Sequence, residues 1–316
     1  MILCFGEALV DLYALPLGAS VEGAECFAPR PGGAPANVAI TLARLGAPSA
    51  FAGAVGRDGH GERLVSAMRG AGVDTSAVQR LAARTGITFV SARGDARSFL
   101  FYRVGGADYA PSVDALAPAA RALDAAWILL GSSVFVTDAL AACARRLLAD
   151  AAARGARVAV DLNVRAHLGA DEATMRDGVA LLLERASLVK ASDDDLRALA
   201  MPDDAATLAS RLRTGSLAVV TRGARGWEAA WGERRWRGEA ERVEAVDATG
   251  AGDAFTAGLL ATLWRGPWGE GVIEAALRRA AALGALAVTK MGAVEALAGE
   301  ALAEAFARAR AGDDSA

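Results

Sequence analysis

At 316 residues, 53% of them hydrophobic and 22% charged, the chain is long for one core, and one large α/β domain with a smaller addition is expected. The net charge of −3 comes from interspersed signs with no basic stripe, which excludes a nucleic-acid binder, while three scattered cysteines (Cys4, Cys26, Cys143) and two distant histidines (His60, His167) exclude a disulfide framework and a zinc site. The opening MILCFGEALVDL has no basic n-region, and no segment offers the roughly 20 uncharged apolar residues of a membrane span, so a cytoplasmic protein without a membrane partner is expected.

In chain order, ILCFGEALVDLYAL reads as a strand, broken at Gly6, with Asp11 embedded in its apolar run. Pro16 to Arg30 is rich in Gly and Pro and reads as irregular. In PGGAPANVAITLARLG, Pro35 suits a first helical turn, Val38, Leu42 and Leu45 follow at helical spacing, and Gly46 stops the helix. SAFAGAV is a predicted strand, and HGERLVSAMRGAG a predicted helix ending at Gly70 or Gly72. TGITFVSA and RSFLFYRV, joined by Arg93 to Ala96, read as a hairpin. It belongs to a small accessory sheet with strands near residues 9–30.

A regular alternation follows. AAWILLGS, ARVAVDLN, SLVKAS and SLAVVTRG are predicted strands, separated by helices in TDALAACARRLLADAAARG, DEATMRDGVALLLERA and DDDLRALA. The apolar runs in VAVDL and LAVVT read as strands buried on both faces, as in a parallel sheet covered by helices. WEAAWGERRWR alternates around Gly232 as a late hairpin. Helices start near Ala251, Gly271 and Gly299, and the terminal GDDSA reads as frayed.

Two stretches carry candidate chemistry. In DATGAGDAFTAGLL, Asp253 stands at a helix start, where an acid can simply satisfy backbone N–H groups. With Gly250, Ala251 and Gly252 before it, the same place can be an anion hole at a helix N-terminus, with the acid orienting a hydroxyl and taking its proton during phosphoryl transfer. The helix dipole is expected to lower the Asp253 pKa. In GGAPAN, Gly32 and Gly33 can form a turn or let a ligand reach backbone amides, and Asn37 presents an amide that both donates and accepts, suited to a polyol. A Walker A pattern and an early GxGxxG are absent.

Together, the early GGAPANVAITLARLGAPSAFAGAVG and the late DATGAGDAFTAGLL resemble the ribokinase-like (PfkB) carbohydrate kinases over nearly the whole chain. The resemblance implies one α/β domain over residues 1–316: a three-layer α/β/α sandwich with a mostly parallel central sheet. A β lid from roughly residues 9–31 and 85–106 would cover the sugar. It implies ATP and Mg2+ as cofactors. It further implies that Asp253 is the catalytic base, with the amides of Ala251, Gly252 and Asp253 as the phosphoryl hole and Gly250 allowing their turn. Asp11, Gly32, Gly33 and Asn37 become sugar ligands; Lys190, Ser192, Thr221, Gly223 and Gly226, with Gly250 and Gly252, become nucleotide ligands.

Two departures bear on metals. The family's Asn-x-x-Glu reads here Ser192-Asp193-Asp194-Asp195, and the shorter Asp195 implies a magnesium contact through water. Ala248 replaces a common Thr or Ser in a loop where Asp247, Thr249 and the backbone near Gly292 would hold a monovalent cation such as K+. Arg103 and Arg165 are expected where the sugar pocket meets the phosphate channel, with His167 at the rim. RSFLFYR and the DxNxR pattern point to a fructokinase, and Phe101 favours a neutral sugar. The alternatives are a 2-keto-3-deoxygluconate kinase, then a ribokinase or nucleoside kinase, and, outside enzymes, a sugar- or nucleotide-binding protein without turnover. A homodimer through the lid is a further expectation.

Overall fold

The computed structural model describes residues 1–316 except 17, 94–95, 166–170 and 309–316. The chain begins with β1 (Ile2–Phe5), β2 (Leu9–Leu15) and β3 (Cys26–Gly32), then α1 (Ala34–Arg44), β4 (Ser49–Gly56), α2 (Gly59–Gly70) and β5 (Val78–Leu81). The hairpin β6 (Ile87–Arg93) and β7 (Ala96–Tyr102) precedes α3 (Val113–Ala122). Next come β8 (Trp127–Gly131), α4 (Asp138–Arg154), β9 (Arg157–Asp161), α5 (Glu172–Arg185), β10 (Leu188–Ser192), α6 (Asp193–Ala198), α7 (Ala205–Ser210) and β11 (Leu217–Thr221). β12 (Trp227–Trp231) and β13 (Arg234–Gly238) pair as a hairpin before α8 (Ala251–Leu263), α9 (Glu270–Ala287) and α10 (Gly299–Arg308).

The main sheet runs β13-β12-β11-β10-β9-β8-β1-β4-β5. Its strands from β11 to β5 are parallel, and only the β12–β13 edge is antiparallel. The two-residue period of a strand divides the core into two clusters. Ile2, Leu188, Leu217 and Val219 pack on one face with residues of α1, α2, α8 and α9. Leu3, Val189, Ala218 and Val220 pack on the other with residues of α3, α4 and α5. That is why VAVDL and LAVVT are apolar but for Asp161 and Thr221 at the strand ends: each strand feeds both layers. A second sheet, β3-β2-β6-β7, has one parallel pair, β2 with β6, between two antiparallel ones.

Three local features differ from the sequence pattern. ILCFGEALVDLYAL is two strands in two sheets, because the chain leaves the main sheet after Phe5 and enters the small one at Leu9. The Gly/Pro-rich stretch ends in a seven-residue strand, β3, despite Pro29 and Pro31. An edge strand tolerates prolines, since their missing N–H groups face no partner there. The helix α3 carries Pro118 inside it, which hides its helical pattern. The strand ends at Asp161, Ser192 and Thr221 lie together at the carboxyl edge of the parallel sheet, the edge where open α/β sheets bind ligands. Among the described residues no helix is long and apolar enough to cross a membrane.

Candidate active site

The start of α8 organises the site. Its N-cap is Gly250 at φ 80, with no side chain capping the helix. A Cβ on Gly250 would lie 2.6 Å from Ala293 Cα, so this left-handed turn requires glycine. Among the described residues, the amides of Gly252 and Asp253 have no backbone acceptor, while the amide of Ala251 makes a long 3.4 Å bond to the Ala248 carbonyl. Gly252 also admits a cation: a Cβ there would sit 2.8 Å from Lys190 Nζ. Two bare amides, a dipole end and an ammonium therefore converge on one point, as an anion site requires.

Lys190 comes from β10 and is buried, with Nζ 3.1 Å from Asp161 Oδ1 at the end of β9. Thr256 of α8 donates to Asp161 Oδ2 at 2.7 Å, tying helix to sheet. Burial works to lower the Lys190 pKa, but Asp161, Asp195 and Asp253 outweigh it and hold the amine above its ordinary value, charged. Asp161 itself is raised, by burial first and the Asp195 charge second, against Lys190 and Thr256.

Asp253 reaches toward α1, which packs beside α8. Asn37 Nδ2 donates to Asp253 Oδ2 at 2.8 Å, while the buried Asn37 Oδ1 has no hydrogen-bond partner. Like α8, α1 starts on a glycine with left-handed φ, Gly33 at φ 99. Asp11, in the middle of β2, lies buried against Gly32, and its carboxylate makes no hydrogen bond among the described residues. Asp253 is pushed up to about 6 by burial, then by Asp161, against Asn37, Lys190 and Arg165. Asp11 is pushed up to about 8 by burial, then by Asp253, Asp247 and Glu295, against Arg103. The lowering expected from the helix dipole is overridden, because removing water from a carboxylate costs more than one dipole end returns.

On the other side of the α8 start lies a cavity of about 540 Å³ that shares Ala251 and Gly252 with it. Thr221, Gly223 and Gly226 line it from the end of β11 and the turn after it, Ala281 and Gly284 from α9, and Val288 from just beyond that helix. Asp247 reaches its rim: Oδ1 accepts from Thr249 N at 2.9 Å and Thr249 Oγ1 at 2.7 Å, and Oδ2 accepts from Gly292 N at 2.9 Å. The three parts of the expected cation loop are thus joined through one carboxylate.

Residues 1–298 match the pfkB family of carbohydrate kinases. The chain belongs to that family. This pfkB kinase is 34% identical over 313 residues to Fructokinase-1 of Oryza sativa subsp. japonica, across 94% of each chain. It is similar to the solved fructokinase of Xylella fastidiosa with bound ATP, at 33% identity and TM-score 0.83, covering 97% of each chain. It is also similar to the E. coli protein described as Ribokinase II in complex with ATP and Mg2+, at 26% identity and TM-score 0.85, covering 97% of this chain and 98% of that one. The pfkB kinase is a phosphotransferase acting on a sugar hydroxyl.

Other expected residues of the kinase fall differently. Arg103 is not a free guanidinium: it is 3% exposed, its Nε donates to Asp108 Oδ2 at 2.8 Å, and it stacks over Tyr109 at 4.6 Å. Arg165 is exposed beyond β9 and acts on Asp253 through its charge. His167 lies outside the described residues. Ser192 and Asp195 form a capping box on α6, Ser192 Oγ accepting from Asp195 N and Asp195 Oδ2 from Ser192 N. Asp195 Oδ1 accepts from Val164 N at 2.7 Å. Both carboxylate oxygens thus hold backbone. Among the described residues no three His, Cys, Asp or Glu converge as a metal cage. Asp195, buried at the carboxyl edge of the sheet, is the residue that would hold a magnesium there, through water, as Mg2+ keeps most of its waters.

Asp161, Thr256 and Glu7 were not singled out from the sequence. Glu7, buried between β1 and β2, accepts from Ser133 Oγ at 2.8 Å. The signal for Asp161 was present: an acid at the carboxyl end of an otherwise apolar strand.

Proposed function

We propose that this kinase transfers the γ-phosphoryl of ATP to a primary hydroxyl of fructose. The observation that carries the reading is Asp253, held by Asn37 beside the bare amides of α8 and Lys190. The kinship to fructokinases supports the sugar.

ATP lies in the cavity of about 540 Å³, a size within the roughly 300–1,000 Å³ of ligand pockets. Its phosphates reach Gly252 and Lys190, past Thr221, Gly223 and Gly226. Asp11, Gly32, Gly33 and the free Asn37 Oδ1 hold the sugar hydroxyls, and Arg165 stands at the phosphate side. The reacting hydroxyl oxygen bonds to the γ-phosphorus as the bond to the bridging oxygen breaks. The electron pair leaves with ADP, and the proton passes to Asp253. Lys190 and the Gly252 and Asp253 amides stabilise the transferring charge, beside the amide of Ala251, and Gly250 turns the chain to aim them. Magnesium, when bound, neutralises charge on the phosphates. Arg103 acts at one remove, lowering the Asp11 pKa through its field.

The sheet β3-β2-β6-β7 serves as the lid, excluding water from the transfer. Its edge strand and the turn after it expose Phe99, Leu100, Tyr102 and Val104, a surface on which two copies pair through their lids. The kinase works in the cytoplasm. The Asp247–Thr249–Gly292 loop is the place for K+, and activity in potassium against tetramethylammonium chloride tests it.

ADP release with Mg·ATP across fructose, ribose, 2-keto-3-deoxygluconate and nucleosides decides the reading. Turnover is expected with fructose well above the others. Preference for another acceptor replaces fructose, and saturable sugar binding without ADP release removes the enzymatic reading.

A further inference from the structure

We infer a second binding site, for a phosphoryl group, at the end of the main sheet opposite the active site. A cavity of about 280 Å³ lies where β9, β10 and β11 begin. Arg157, Ser187 and Ser216 stand at or just before the first residues of those three strands and line it. Arg213 and Thr214, on the turn before β11, Trp231 at the end of β12, and Trp268 after α8 close it. Among the described residues no acidic side chain lines it.

The arginines give the site its chemistry. Among the described residues neither Arg157 nor Arg213 pairs with a carboxylate. Arg157 lies over two stacked indoles, 5.6 Å from the Trp127 centroid and 5.1 Å from that of Trp268. Stacking uses the face of a guanidinium and leaves its N–H edge for a bidentate oxyanion. Trp231 Nε1 donates to Gly215 O at 2.9 Å, fixing the turn that carries Arg213. Ser216 Oγ is spent on the Ala186 carbonyl, but the hydroxyls of Ser187 and Thr214 have no hydrogen-bond partner among the described residues. Two forks, two free hydroxyls and indole surface suit a phosphate with a small sugar attached. The volume lies just below the roughly 300–1,000 Å³ of drug-sized pockets, which suits such a monoester and is small for a nucleotide. Two sources share this chemistry, free phosphate and the phosphorylated sugar that a sugar kinase makes.

Calorimetric titration of the full chain with fructose 6-phosphate, inorganic phosphate and fructose tests the site, with indole fluorescence as the local reporter. Asp11→Asn, altered in the active site, is expected to keep saturable fructose 6-phosphate binding. Arg213→Gln, a change at an exposed side chain with no hydrogen bond or ion pair among the described residues, is expected to weaken that binding at least tenfold while sugar KM and kcat stay unchanged. Arg157→Gln, checked for an unchanged melting temperature, is expected to do the same. Tighter binding of the ester assigns the site to the sugar phosphate, and equal binding to free phosphate; either order supports a phosphoryl site. Unchanged binding in both arginine variants, or its loss in Asp11→Asn alone, overturns it.

Discussion

Asp195 and Asp253 occupy the same place on two helices, the third residue of α6 and of α8. Asp195 folds back onto the N–H of Ser192 and takes that of Val164, so its carboxylate holds chain to chain. Asp253 does neither; the only hydrogen bond to its carboxylate among the described residues comes from Asn37. The residues before them account for the difference. Ser192 supplies a hydroxyl and an extended backbone that close a capping box. Gly250 has no side chain and a left-handed φ, which opens the helix end instead. An acid in the first turn thus becomes architecture or chemistry according to its N-cap.

Asp253→Asn breaks the comparison most directly: kcat should fall by about 10²–10⁴, the usual contribution of a positioned acid–base group, with little change in KM for ATP. If kcat held, Asp253 would be a cap like Asp195. Installing the α6 solution on α8, as Gly250→Ser, puts a Cβ against Ala293 at a disfavoured φ, and kcat should drop at least about tenfold. The reverse test is Ser192→Ala, which should cost about 1 kcal/mol of stability in denaturant unfolding while kcat changes only a few-fold.

Acidity sharpens the contrast. With Asp253 pushed up to about 6, kcat/KM should fall as the pH drops through about 6. Because Asn37 holds that value down, Asn37→Ala should move the midpoint upward. The stability sign is opposite: a raised folded-state pKa favours folding at low pH and loses that favour as pH rises through about 6. Asp253→Asn should therefore melt higher than the parent at pH 7.5, with the gain shrinking toward pH 4. A gain independent of pH would detach the effect from the Asp253 charge.

Much of this was legible in advance. The α1 and α8 starts announce themselves through Gly33, Pro35, Gly250 and Gly252, because turns that need glycine leave a local mark. β9 and β11 announce themselves because a strand buried on both faces must be apolar. β3 did not, since its prolines are acceptable only at an edge, and being an edge is a property of the sheet. Arg103 was expected to face a ligand; whether a guanidinium is free depends on what folds against it, here Asp108, only five residues on but brought round by a turn. The pKa of Asp253 was expected to fall from the helix end alone, and burial reversed it.

The sequence by itself determined the alternation of strands and helices, the two glycine-led helix starts and the acids set within them, all consequences of backbone conformation and side-chain period within a few residues. Only the tertiary structure decided that Asn37 meets Asp253 from 216 residues away, that Lys190 reaches past Gly252, and that Asp195 is spent on backbone while Asp253 is not. Those outcomes depend on desolvation and on partners delivered by distant elements, and no local pattern records either.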